Sequence, residues 1–217
     1  MKFILGQKEK MTQLFDESGK VVPGTVISAG PVYVLELKKG KPASAKATAG
    51  KYDSMVVGYE NRRLSNLNKP QRGLIKKALA EREQGFAFIR EFNNKTSALP
   101  EAGVGEAIDV STFAEGDKVV VSAISKGKGF QGVVKRYGFK GGRRSHGQKH
   151  SEREPGSIGA GGVQRVFPGT RMGGRMGGER ITIKNVIVAR VDKENNQLFI
   201  RGAVPGRKGT LVEIVTK

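Results

Sequence analysis

The feature that most constrains this chain is one stretch, residues 121–180, that is both strongly basic and rich in glycine. It carries 13 Lys and Arg against 3 Asp and Glu, and this net +10 is over half of the chain's +19. It also holds 16 of the 31 glycines. Between residues 126 and 178 no period of 2 or 3.6 is sustained, so little apolar surface is available to offset the entropy of ordering. The sequence therefore predicts a long extended loop that is either disordered or packed by a partner.

The net charge of the chain indicates the chemistry of that partner. A large excess of one sign repels itself and destabilises a compact state unless a polyanion neutralises it. Cations that replace condensed counterions, and glycines that let the backbone approach phosphates, favour RNA or DNA. An anionic membrane surface is the other candidate, but we find no strongly amphipathic basic helix that would lie on one.

The composition excludes several other classes of protein. The absence of cysteine rules out disulfides and any zinc site built from thiolates. The longest uncharged run, residues 21–35, contains two prolines and two glycines and falls short of the roughly 20 apolar residues of a membrane helix. The apolar residues 3–5 are too few for a signal peptide. We therefore expect a soluble intracellular protein without a structural metal.

Outside the basic stretch the chain is predicted to be mainly β. The predicted strands are residues 2–7, 12–15, 21–28, 32–37, 55–60, 86–92, 107–110, 118–124, 181–191, 198–202 and 211–215. Turns are predicted at residues 16–19 and 192–196, and a linker at residues 38–51. Pro70 favours a helix over residues 71–83, with Gly85 as its stop. Many short strands with tight turns predict a closed β-barrel with a helical insertion.

These elements predict a division of the chain into five parts. They are residues 1–61 as the first part of the barrel, 62–100 as a helix-containing insertion, 101–125 as further barrel strands, 126–178 as an extended RNA-binding loop, and 179–217 as the closing barrel strands.

Residues 127–132, GKGFQG, match the G-x-G-x-x-G pattern of dinucleotide-binding and kinase loops. A strand is predicted before them, but the basic, glycine-rich residues 135–146 predict no helix after them. No other kinase or dinucleotide-binding motif is present. We therefore favour a flexible loop that contacts the phosphates of a polymer, through the same interactions by which such loops bind the phosphates of a nucleotide.

Two further patterns lie in the basic stretch. His146 and His150 have the spacing of a helical metal site, but Gly147 argues against a helix and only Glu152 or Glu154 could add a third ligand, so RNA contact is favoured. Residues 171–178 repeat R-M-G-G, which is either a compositional accident or a tight turn against RNA with arginines on phosphates or bases. Outside the stretch, the cations around the helix are as consistent with solvent exposure as with RNA contact: Arg62, Arg63, Lys69, Arg72, Lys76 and Lys77.

Several motifs together resemble those of the ribosomal protein L3 family, bacterial type. They are SKGKGFQGVVKR at residues 125–136, SHG at 145–147, PGSIG at 155–159, RVFPGTRM at 165–172, ERITIKN at 179–185, and MTQLFD at 11–16. The similarity spans nearly the whole chain, and its motifs are long. Arg175 departs from the family, since some bacterial members have a methylated glutamine there, so that modification should be absent.

The resemblance implies a fold and a function. It implies a translation-factor-like barrel and a loop that reaches through rRNA towards the peptidyl-transferase centre. It implies a cytoplasmic, non-enzymatic protein of the large ribosomal subunit that binds near the 3′ end of 23S-type rRNA and promotes assembly. It also implies neighbours of the L14 and L19 families, with no cofactor, metal, membrane or homo-oligomer.

On both grounds, composition and resemblance, we expect RNA contacts from residues of the basic stretch. They are Lys126, Lys128, Phe130, Gln131, Lys135, Arg136, Arg143, Arg144, His146, His150, Arg165, Arg171, Arg175 and Arg180. Two hypotheses from other classes stay open on the residues alone. One is a DNA-associated architectural protein whose basic arm enters a groove, and the other is a nucleotide-dependent enzyme that uses residues 127–132.

Overall fold

The computed structural model describes residues 2–15, 18–40, 53–79, 82–93 and 99–216. Residues 16 and 17 of the predicted turn, and residues 41–51 of the predicted linker, lie outside the described residues. The described chain is mainly β, as predicted. It divides into two compact units, of which the first comprises Met1–Ile124 and Ile181–Lys217 and the second comprises Ser125–Arg180.

The strands are β1 (Phe3–Phe15), β2 (Val21–Ala29), β3 (Val32–Lys38), β4 (Ser54–Arg63), β5 (Gln84–Asn93), β6 (Ala107–Ile108), β7 (Lys118–Ile124), β8 (Phe130–Gln131), β9 (Gly174–Arg175), β10 (Arg180–Asp192), β11 (Gln197–Arg201) and β12 (Leu211–Thr216). The α-helices are α1 (Lys69–Ala78) and α2 (Val133–Tyr137), and short 3-10 turns occur at Leu64–Asn66, Val110–Thr112 and Ser151–Arg153. Within the part of the chain that the structure describes, no helix is long and apolar enough to cross a membrane.

Six strands of the first unit close into a barrel in the order β1-β12-β7-β10-β11-β2. The first strand closes the ring because it pairs antiparallel with the last strand on one side and with β2 on the other. The main apolar core of the first unit contains side chains of the barrel strands that are fully buried, among them Ile4, Leu5, Ile27, Leu198, Ile200 and Ile214. Each contributes about 1.5–3 kcal/mol relative to an exposed position. The predicted closed barrel is confirmed.

The first strand is longer than predicted. The sequence predicts two strands at residues 2–7 and 12–15, separated by a polar run, but β1 continues through all 13 residues. A bulge between Lys8 and Lys10 shifts the register against β2. An extra residue at a bulge interrupts the alternation of side chains, although the strands stay paired on both sides of it. The hydrophobic pattern in the sequence is therefore interrupted at this point, whereas the strand itself is continuous.

A second sheet in the first unit has the order β5-β4-β3-β6. Its side chains alternate between two apolar clusters: Met55, Val57 and Tyr59 of β4 join the barrel core, whereas Val56 packs with Ile75 of α1. Because successive residues of a strand point to opposite faces, a strand that is covered on both faces is apolar throughout. Strands β3, β4 and β6 come from parts of the chain that the predicted division assigned to the barrel, but they belong to this second sheet.

The helix begins near Pro70 as predicted, but it ends at Ala78 instead of residue 83. The side chain of Gln71 accepts a hydrogen bond from the Asn68 backbone N–H at 3.4 Å at its start. The prediction that Gly85 stops the helix is wrong, because Gly85 lies in β5. A Cβ at that position would come within 2.2 Å of the Leu67 side chain, so a close contact explains this glycine.

Replacement of Gly24 by alanine should destabilise the barrel by about 1–3 kcal/mol, which is typical of overpacking. Its ideal Cβ would lie 2.5 Å from the Ile200 carbonyl oxygen and 2.5 Å from the Phe199 ring. Gly73 of α1 is the matched control, since nothing lies within 4 Å of its Cβ and Gly73→Ala should stabilise the helix by about 0.5–1 kcal/mol. Urea unfolding measures both, and equal effects would contradict the packing argument.

Asp117 should give the first unit a stability that depends on acid pH. Hydrogen bonds from the Ala114 backbone N–H and the Lys2 ammonium, each at 3.1 Å, lower the pKa of its carboxyl group. A lowered pKa in the folded state contributes stability above the unfolded value of about 3.9, and this contribution is lost as pH falls through the folded pKa. Asp117→Asn should therefore cost about 1 kcal/mol near pH 7 and progressively less below about pH 4. Urea unfolding across that range tests it, and a pH-independent cost would contradict it.

Candidate nucleic-acid interface

The second unit, Ser125–Arg180, is called the basic arm below, and it begins as a two-stranded ribbon. The Ser125 N–H donates to the Glu179 carbonyl at 2.9 Å, and the N–H of Lys128 donates to the carbonyl of Met176 at 2.9 Å. The short strands β8 and β9 continue this pairing, with Phe130 opposite Arg175. The base of the arm therefore has regular structure that the absence of periodicity did not predict.

The two copies of R-M-G-G have different conformations. In the first copy Gly173 directly precedes β9, which begins at Gly174. In the second copy Gly177 and Gly178 have φ of 73° and 70°, in the left-handed region that glycine adopts without strain. A Cβ on Gly177 would come within 2.1 Å of the Lys126 carbonyl oxygen. Only the second copy makes the tight turn that the repeat suggested.

The expectation that no helix follows residues 127–132 is wrong. The helix α2 begins directly after Gly132, and Gly138 ends it in the left-handed conformation with φ of 73°. The Gly138 N–H donates a hydrogen bond to the Val134 carbonyl at 3.0 Å. The helix persists despite the basic, glycine-rich surroundings because its glycines stand at the two ends, where they are favoured, and because Val133 is buried.

The burial of side chains in the arm differs sharply from that in the barrel. Across residues 125–180, all of which the structure describes, Val133 is the one buried side chain. Of the 13 Lys and Arg in this segment, 12 are exposed and Arg136 is half-buried. The acidic residues offset little of this charge, with Arg144 and Glu152 forming an ion pair at 2.8 Å. The arm thus presents a dense, exposed positive charge with almost no core of its own.

Aromatic side chains lie among these cations. Phe130 on β8 is 79% exposed. The guanidinium carbons of Arg136 and Arg171 lie 4.9 and 5.5 Å from the centroid of the Tyr137 ring, and that of Arg165 lies 6.0 Å from Phe167. Exposed rings and guanidinium planes are surfaces on which unpaired bases stack.

Arg136 differs from the other predicted contact residues because it also holds the arm together. Its Nη1 donates to the Met172 carbonyl at 2.9 Å, which connects α2 to the segment before β9. A Cβ on Gly174 would come within 2.6 Å of the same Nη1. Arg136 is therefore a structural residue of the arm as well as a candidate contact.

Four predicted contact residues lie in a compact turn farther along the arm: Arg143, Arg144, His146 and His150. The Gly142 N–H bonds the Glu152 carbonyl at 3.0 Å, close to the ion pair of Arg144. His146 has a φ of 61°, and both it and His150 are exposed. Within the described residues no group of three His, Asp or Glu side chains is arranged to hold a metal ion.

The remaining predicted contact residues are exposed apart from Gln131, which is half-buried and donates to the Lys128 carbonyl. The exposed ones are Lys126, Lys128, Lys135, Arg175 and Arg180. The prediction omitted Tyr137, Lys140, Lys149, Arg153 and Phe167, which the structure also leaves exposed in the arm. The adjacency of Arg136 to Tyr137 in the sequence was a usable signal for that ring.

Comparison with known proteins identifies the family. The family model of ribosomal protein L3 matches residues 101–199. Large ribosomal subunit protein uL3 of Desulfitobacterium hafniense is 44% identical over 211 residues, which cover 97% of this chain and 93% of that protein. Its counterparts in Listeria welshimeri and Lysinibacillus sphaericus are 43% and 42% identical over 215 residues, which cover 99% of this chain and 97% of each relative. The chain belongs to the ribosomal protein L3 family.

Membership of the L3 family confirms the resemblance seen in the motifs and decides one open alternative. The family is a structural component of ribosomes and not an enzyme. Residues 127–132 therefore do not form the nucleotide site of an enzyme. In this L3 chain they are divided among the arm's ribbon, strand β8 and the start of α2.

Gly177→Ala should open the base of the arm in this L3 chain and leave the barrel intact. Alanine at a φ of 73° is strained, and its Cβ would collide with the Lys126 carbonyl oxygen. Hydrogen exchange at the Lys128 and Met176 amides should become at least about tenfold faster. Gly159→Ala, at a position with open space, is the control. Unchanged protection in Gly177→Ala would contradict the role given to this turn.

Proposed function

We propose that this chain is a structural protein of the large ribosomal subunit that binds rRNA through its basic arm. Curated relatives that match over nearly their whole length carry the name large ribosomal subunit protein uL3. The observation that carries the proposal is the contrast within the arm between 12 exposed cations and one buried side chain. A phosphate backbone offers the counter-charge that the arm lacks.

The residues of the arm divide by the contacts that their chemistry allows. Lysines 126, 128 and 135 and the exposed arginines contact phosphates, and arginine can do so through two parallel hydrogen bonds. Phe130, together with Tyr137 and its neighbour Arg171, stacks on unpaired bases. The exposed imidazoles of His146 and His150 donate hydrogen bonds to phosphates or stack on bases. The side chain of Gln131 hydrogen-bonds the RNA backbone. These contacts position RNA and catalyse nothing.

The family resemblance supports the following proposal for the place of the protein in the subunit. The barrel anchors the protein near the 3′ end of 23S-type rRNA, and residues 126–178 extend towards the peptidyl-transferase centre. The protein acts early in assembly, in the cytoplasm, beside members of the L14 and L19 families. The rigid core of the first unit supports the anchoring role, and the exposed charge of the arm supports the extended one.

Simultaneous replacement of Arg171, Arg175 and Arg180 by alanine should flatten the dependence of rRNA affinity on salt. Each lost phosphate contact lowers the slope of log K against log salt by roughly 0.7–0.9 in magnitude, so the slope of the triple variant should be smaller by roughly 2–3. Replacement of the same three residues by lysine is the matched control, because it retains charge and should retain the slope.

Filter binding to a 3′-terminal rRNA fragment across a salt series measures both variants. An unchanged slope in the alanine variant would remove these arginines from the interface. The same titration with duplex DNA at matched salt tests the architectural alternative, since equal or tighter binding to DNA would contradict a dedicated RNA protein.

A further inference from the structure

The first unit contains a concave pocket. It has a volume of about 320 Å³ and is lined by residues of β1 to β5, together with Arg82 and the connecting residues Gly30 and Pro31. That volume is at the lower end of the roughly 300–1,000 Å³ of small-ligand pockets, which suits a single planar group. Its walls combine aromatic rings, one guanidinium group and one carboxylate.

One wall of the pocket is a stacking surface. The rings of Tyr33 and Phe86 lie 5.6 Å apart with an interplanar angle of 35°. The guanidinium carbon of Arg82 lies 4.3 Å from the first ring centroid and 4.5 Å from the second. The Arg82 side chain also donates to the Asn61 side-chain oxygen, which holds the guanidinium plane over the rings. A flat aromatic ligand can stack on such a plane.

The edge of the pocket carries a carboxylate in an unusual setting. Glu60 has a φ of 60° in the middle of β4, a left-handed conformation that is costly for a residue other than glycine. Its side chain is exposed and accepts a hydrogen bond from the Gln7 amide. A carboxylate has about four acceptor positions, so both oxygens can still accept from a ligand.

The floor of the pocket is neutral. The Tyr59 hydroxyl donates to the Ser28 carbonyl at 3.0 Å. Burial, the largest cause, raises the pKa of Tyr59 to about 12, so the hydroxyl stays protonated at neutral pH. Glu60 is therefore the negatively charged group among the residues that line the pocket, and Arg82 is the positively charged one.

The chain around the pocket favours a nucleic-acid ligand over a free metabolite. Arg62 and Arg63 follow Asn61 directly at the end of β4, and both are exposed. Cations beside a stacking pocket suit a base whose flanking phosphates lie outside it.

We propose that this pocket binds one guanine base that is extruded from a single-stranded or looped segment of RNA. The base stacks on the Arg82 guanidinium, and its adjacent N1–H and N2–H donors bond the two oxygens of Glu60. Adenine, cytosine and uracil each present a single donor group on this edge, so the carboxylate selects guanine. The inference rests on the proposed function only in taking RNA as the partner, and it adds a base-selective contact in the first unit.

The test uses the full-length protein and short oligouridine RNAs of equal length that carry one central guanine, adenine, cytosine or uracil. Because the four RNAs have the same charge, the electrostatic contribution of the arm is the same for all. Fluorescence anisotropy at a fixed salt concentration should show about tenfold tighter binding of the guanine RNA, the discrimination expected from hydrogen bonds to a charged group.

Two conservative variants assign the preference to the pocket. Glu60→Gln should abolish the guanine preference and leave binding of the other three RNAs unchanged, and Glu194→Gln is the control for loss of one exposed carboxylate in the same unit. Arg82→Lys retains charge but removes the stacking plane, so it should weaken binding of the guanine RNA several-fold. Arg201→Lys is its control.

The outcomes separate this inference from the proposed function. Equal affinity for all four RNAs, or a guanine preference that survives Glu60→Gln, would overturn the pocket while RNA binding stands. Absence of salt-dependent binding to any of the four would contradict RNA binding by the arm itself. A preference that is lost in Glu60→Gln and kept in Glu194→Gln would support the pocket.

Discussion

The pairing of β7 with β10 is the constraint on which the basic arm depends. These strands are neighbours in the closed barrel, and the hydroxyl groups of Ser122 and Thr182 lie 2.8 Å apart across them. They are also the strands that directly precede and follow residues 125–180 in the chain. Barrel formation therefore brings the two ends of a long insertion together. The entropy cost of closing this loop grows only slowly with its length, and packing of the barrel core offsets it.

The two units of this chain are stabilised by different interactions. The first unit buries aliphatic and aromatic side chains in two apolar clusters, whereas the arm holds its shape with backbone pairing, left-handed glycines and the Arg136–Met172 hydrogen bond. Exposed like charges at such density destabilise an isolated segment. A segment of this kind is suited to folding against a polyanion, because the charge that disfavours it alone is the charge that binds the partner.

The sequence predicted those features that a local pattern encodes, including the barrel strands, the start of α1 and the location of the charged arm. It missed features that depend on distant contacts. The sequence wrongly predicts that Gly85 stops the helix, because the close contact of Gly85 with Leu67 arises only from tertiary packing. No motif in the sequence marks the left-handed Glu60 or the cluster of Tyr33, Arg82 and Phe86. These residues come from three separate strand regions. In the arm the candidate contacts followed from charge and family motifs, whereas the structural role of Arg136 did not.

We propose that the arm holds this protein in the large ribosomal subunit by binding rRNA. Fractionation of lysate from the source cell on sucrose gradients in high salt tests it most directly, because loosely associated proteins dissociate under those conditions. If rRNA binding holds the protein in the subunit, the protein should remain with the large-subunit particle. Recovery of the protein free at the top of the gradient, or together with DNA, would contradict it.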